Sequence, residues 1–154
     1  MIDASSRLKG VEFLIDSEQY FVIHAARQSG KTTYLKDLAQ RINEEGKYYV
    51  IYCSLERLQK IEDVKEGIPE IVKQIKNMLS FSDIPGKETF AEKADYENYT
   101  GALHTELALF CKKLDKPLVI LFDEANCLSE DTLISFLRQL REGYNIRDMI
   151  PFVH

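Results

Sequence analysis

Three short runs rich in β-branched and aromatic residues, Tyr20–Ile23, Tyr48–Cys53 and Leu118–Phe122, take turns along the chain with stretches whose apolar residues recur at helical spacing. A strand buried on both faces reads as a continuous apolar run, whereas a helix packed on one side repeats its apolar positions every three or four residues. Leu35, Leu38, Ala39 and Ile42 mark a helix from Lys31 to Glu45, with Gly46 placed to end it. Ile61, Val64, Ile68, Ile71, Val72, Ile75 and Met78 mark a longer one, which Pro69 is expected to kink or divide. Leu103, Leu107, Phe110, Cys111 and Leu114 mark a third, ended by Lys116 and Pro117. A fourth is expected from Glu130 to Glu142, capped by Ser129 and stopped by Gly143, with Leu133, Phe136, Leu137 and Leu140 as its apolar face. Leu8, Val11, Leu14 and Ile15 predict a short leading helix at about 6–17. Between Phe81 and Glu97 the periodicity fades, Pro85 and Gly86 mark a turn, and the segment reads as a surface loop.

Strands alternating with helices imply an α/β fold: a mainly parallel sheet covered on both faces, with ligands at the carboxyl ends of its strands. The 154 residues suit a single domain with a real hydrophobic core. A hydrophobic fraction of 45% against 29% charged residues excludes a disordered tail. The net charge of -5 gives no global attraction for nucleic acid or an anionic membrane, so neither is an expected partner. The N-terminus lacks the pattern of a signal peptide and no apolar run approaches a membrane span, so a cytoplasmic location is expected. Cys53, Cys111 and Cys127 are odd in number and show no C-x-x-C spacing, which points to buried thiols and away from disulfides or zinc. His24 and His104 have no ligand partner at metal-binding spacing.

The first expected strand runs into Ala25-Ala26-Arg27-Gln28-Ser29-Gly30-Lys31-Thr32-Thr33 and then directly into a helix. A phosphate-binding loop needs this order: backbone N–H groups at a helix N-terminus to cradle phosphate oxygens, a lysine to reach the β- and γ-phosphates, and a hydroxyl to hold Mg²⁺. The candidate nucleotide-binding residues are therefore Ala26, Arg27, Gln28, Ser29, Gly30, Lys31, Thr32 and Thr33. By composition alone, Gly-Lys followed by Ser or Thr arises in roughly one chain in ten of this length, so the tripeptide does not decide the matter. Ala25 also stands where the usual first glycine would be; an extended backbone there accepts alanine, since only a positive φ demands glycine. The balance changes with Val119-Ile120-Leu121-Phe122-Asp123-Glu124, an apolar strand ending in two acids, as in a Walker B segment. Asp123 at the strand tip would hold Mg²⁺ through a water beside Thr32, and Glu124 would orient or deprotonate an attacking water.

With these motifs in place, the segments HAARQSGKTTYL, PLVILFDEANCL and DTLISFLRQLREGY resemble the AAA-like ATP-binding proteins, within the additional-strand, catalytic-glutamate class of P-loop NTPases. The similarity runs from Gln19 to Tyr144 and is least informative between Ile61 and Ala102. It implies a three-layer P-loop sandwich with ATP and Mg²⁺ as ligands. Lys31 and Glu124 are then the catalytic residues, and Thr32 and Asp123 the metal residues. It also implies a further strand between the P-loop strand and the Walker B strand, bearing a polar sensor. Only Asn145 to His154 follow the last helix, so the expectation is a domain incomplete at its C-terminus. Arg138, Arg141 and Arg147 suit the helix dipole better than a trans arginine finger. Two functional classes follow: an ATPase, and a nucleotide-binding switch or interaction module without useful hydrolysis, working as a homo-oligomer or on a regulated protein partner. A small-molecule kinase fits less well, since a glutamate after the Walker B aspartate suits water activation.

Overall fold

The computed structural model describes residues 31–145. The expected leading helix, the strand Tyr20–Ile23 and the segment after Asn145 lie outside the described residues. Helix α1, Lys31–Glu45, buries Leu35, Leu38, Ala39 and Ile42, the face marked by its apolar spacing. It ends at Gly46, whose φ of 78° is the left-handed stop that glycine takes without a Cβ penalty. Strand β1, Tyr49–Ser54, follows, then a 3₁₀ turn Glu56–Leu58 and helix α2, Val64–Ser80. Helix α3, Tyr99–Lys113, leads to strand β2, Leu118–Asp123, and after a 3₁₀ turn Ala125–Cys127 comes helix α4, Glu130–Asn145.

β1 and β2 pair in parallel, with Val50 opposite Val119 and Ser54 opposite Asp123. Successive side chains of a strand point to opposite faces. Val50, Val119 and Leu121 accordingly pack with α1, while Ile51, Cys53, Leu118 and Ile120 join α2, α3 and α4 in a larger core. Among the described residues the architecture is α/β, a two-stranded parallel sheet with helices on both faces. The outer edge of β1 is sealed by side chains: Asn43 Nδ2 donates to the Val50 carbonyl at 2.8 Å, and the Val50 N–H donates to Asn43 Oδ1 at 2.9 Å. Further along, Gln74 Nε2 donates to the Ser54 carbonyl at 3.2 Å. These amides take the places a neighbouring strand would need, so they interrupt any continuous ladder on that side.

Three expectations are corrected by packing. Pro69 does not divide α2, a single helix begun by Asp63, whose carboxylate accepts from the Lys65 N–H. An interior proline costs about 3 kcal/mol, but Ile68, Ile71, Val72, Ile75 and Leu79 are all fully buried. At about 1.5 to 3 kcal/mol per side chain, that burial outweighs the proline. The segment between α2 and α3 is no mere surface loop. Ile84, Phe90 and Ala91 are buried, and the Phe90 ring meets Phe110 of α3 edge-on at 5.4 Å. α4, finally, packs Leu133, Phe136 and Leu140 against the core as expected, but Leu137 is half exposed and polar Thr132, Ser135 and Gln139 are buried beside them. The reason is Gln139, whose Nε2 donates to the Tyr99 carbonyl and whose Oε1 accepts from the His104 N–H, both at 3.1 Å. Arg138 extends the same junction, donating to Glu142 and to the Thr100 carbonyl, so its guanidinium serves helix docking. Arg147 lies outside the described residues.

Candidate functional site

Both strands end at the same level, since Ser54 lies opposite Asp123 in the register. The alternation that buries Val119 and Leu121 against α1 carries Asp123 to that same face. Thr32 is the second residue of α1 and is exposed. Its hydroxyl donates to Asp123 Oδ2 at 2.7 Å across 91 residues of sequence. The two metal residues expected from the sequence are thus brought into direct contact. Asp123 is 1% exposed, and an ionised carboxylate so enclosed requires donors. It has them: the Glu124 N–H donates to Oδ1 at 3.0 Å, and the Tyr52 hydroxyl donates to Oδ2 at 2.6 Å.

Tyr52 was not singled out by the sequence reading. It precedes the carboxyl end of β1 by two residues, the region where open α/β sheets bind ligands, and that position was the available signal. Its side chain shares a face with Val50, and Lys36 of α1 sits over its ring with Nζ 5.3 Å from the centroid. Burial, and then the bond to Asp123, push the Tyr52 hydroxyl up to about 12, against weaker opposite pulls from Thr32 and Ser54. At this point the tyrosine is a firm donor at neutral pH.

Glu124 is the next residue along, at the hinge between β2 and the turn Ala125–Cys127. Its backbone is left-handed, φ 59° and ψ 36°, a region that glycine or asparagine fills more cheaply than a γ-extended side chain. Its carboxylate is half-buried, with the Cys127 thiol 3.9 Å away. Cys53 and Cys111 are buried thiols, as expected, whereas Cys127 is half-buried.

Lys31 and Thr33 begin α1, and Thr33 is exposed. Ala26, Arg27, Gln28, Ser29, Gly30 and the Lys31 side chain lie outside the described residues. The first turn of α1 holds no acidic residue, so its positive dipole end is not offset by carboxylates of that turn. A hydroxyl touching a buried carboxylate fits Mg²⁺, which takes oxygen ligands and keeps several waters and phosphate oxygens of its own. Among the described residues no helix is long and apolar enough to cross a membrane, and no three acidic, cysteine or histidine side chains form a metal-binding group. Comparison with known protein families, curated proteins and solved structures finds no match for the chain.

Proposed function

We propose that the chain binds Mg-ATP at the N-terminal end of α1 and hydrolyses its terminal phosphate, as a P-loop NTPase of the AAA-like kind. One observation carries the reading: the 2.7 Å bond between Thr32 and Asp123, the hydroxyl after the Gly-Lys pair meeting the acid at a buried strand tip. Phosphate-binding loops need that juxtaposition, and a solvated strand-to-helix turn does not. The sealed outer edge of β1 adds support, because it leaves the edge of β2 for further strands, the side on which the resemblance puts the P-loop strand.

In this reading Lys31 and the first N–H groups of α1 receive the phosphates, and Thr32 turns an oxygen lone pair to the metal while still donating to Asp123. Mg²⁺ would supply charge neutralisation across the β- and γ-phosphate oxygens. Glu124 accepts a proton from, or orients, the water that attacks the terminal phosphorus. Calorimetry tests binding. Lys31→Ala is expected to weaken Mg-ATP affinity at least tenfold, about 1.4 kcal/mol, because it removes the fixed charge on the phosphates. Equal affinity in the variant and the parent would remove the reading. Phosphate release then separates enzyme from switch: Glu124→Gln should keep binding and lose turnover, whereas a parent that binds without turnover acts as a switch.

A further inference from the structure

Tyr52 stands one strand away from Asp123. Its backbone is opposite Leu121 in the register, so its side chain reaches diagonally along the sheet face to the acid two residues on. A carboxylate has two oxygens and about four lone-pair sites. Thr32 and Tyr52 both donate to Oδ2, and the Glu124 N–H holds Oδ1. These three donors come from three separate elements: α1, β1 and the turn after β2. The carboxylate plane is thereby fixed before any ligand arrives.

We propose that Tyr52 is a positioning residue for magnesium-dependent nucleotide binding, its hydroxyl clamping the Asp123 carboxylate in the orientation that receives the metal's water shell. The inference rests on the Mg-ATP reading above. While Thr32 turns a lone pair toward a metal, Tyr52 on Oδ2 and the Glu124 N–H on Oδ1 keep the carboxylate from turning about its terminal torsion. In this proposal Tyr52 acts through Asp123, to which its hydroxyl donates at 2.6 Å. Tyr52→Phe keeps the ring, and with it the contact with Lys36. It deletes the hydroxyl alone, with its bond to Asp123 and its weaker interactions with Thr32 and Ser54.

The test is the affinity for ATP measured by calorimetry twice, with Mg²⁺ and with EDTA, in the parent, Tyr52→Phe and Tyr52→Leu. The ratio of the two affinities is the magnesium increment. In Tyr52→Phe the increment is expected to fall about tenfold, as for loss of one charge-assisted hydrogen bond, with the EDTA affinity unchanged. Tyr52→Leu also loses the ring and should melt earlier than Tyr52→Phe, yet lose no more of the increment. An increment in Tyr52→Phe equal to the parent's overturns the proposal and leaves the Mg-ATP reading standing. So does an increment that falls in step with melting temperature across the two variants, the mark of a merely structural tyrosine. A parent that binds no ATP under either condition overturns the Mg-ATP reading, and this inference with it.

Discussion

At the scale of single residues, Glu124 has the most to explain. A non-glycine residue in the left-handed region costs about 1 to 2 kcal/mol, and the Glu124 side chain makes no cap to the turn Ala125–Cys127, meeting there the Cys127 thiol at 3.9 Å. Strain kept at a strand tip beside a buried acid supports the proposed role of Glu124 in turnover. Glu124→Gly should therefore raise the urea midpoint, by about 1 kcal/mol in stability, while abolishing phosphate release. Glu124→Gln should keep the strain and lose turnover alone. If Glu124→Gly is less stable than the parent, the left-handed geometry is not a cost and the argument from strain falls. Glu124 was legible in the sequence as the second of two acids at the end of an apolar strand. Its backbone was not, because a positive φ at a non-glycine residue leaves no mark in residue type.

Between elements, α2 and α4 approach closely at Gly67. A Cβ built on Gly67 would lie 2.4 Å from Thr132 Oγ1 and 2.7 Å from its Cγ2, inside any permitted contact. Thr132 is held in place, its Oγ1 2.9 Å from the Ser129 hydroxyl, and Ser129 also reaches the Glu62 carbonyl at 3.0 Å ahead of α2. On an exposed helix, glycine to alanine gains about 1 kcal/mol. Here the overpacking penalty of about 1 to 3 kcal/mol wins, so Gly67→Ala should destabilise. Thr132→Ala removes both offending atoms, and in the double variant much of the loss should return; urea unfolding of all four chains measures the coupling. Strict additivity would mean that the helices simply shift apart. The same junction explains why Leu137 was misread as part of the buried face of α4. Periodicity ranked Leu137 above Gln139, whereas the backbone groups of Tyr99 and His104 needed an amide.

At the scale of the whole molecule, two thiols report on the larger core. Cys53 is fully buried and Cys111 is 1% exposed, and burial lifts each from the ordinary 9.0 up to about 12. Both states of the chain hold these protons below the ordinary value, so stability there is complete. Above it the unfolded chain releases protons that the folded chain retains. Stability should consequently fall as pH rises through the window from 9.0 to about 12, with a slope of up to about 1.4 kcal/mol per pH unit for each thiol. Tyr52, raised for the same reason, adds to the decline above 10.0. Urea midpoints between about pH 8 and 11 measure it. Replacing both cysteines with alanine should lower stability at pH 8 and flatten the curve. An identical slope in that variant would place the alkaline loss elsewhere.

The sequence by itself determined the order and type of the described helices and strands, because the periods of burial, two and three to four, are written directly in residue spacing. It also determined that a hydroxyl and an acid stand at a helix start and a strand tip, since those positions follow from the boundaries of the elements. Tertiary structure alone decided the parallel pairing register, the burial of Phe90, the burial of Gln139 where Leu137 stays half exposed, and the sealing of β1 by Asn43. It alone brought Tyr52 and Thr32 onto one oxygen of Asp123. Each of these depends on atoms distant in sequence meeting a specific unsatisfied group or void. A chain of residue types encodes the capacity to make such a contact, but the partner is fixed only when the layers close.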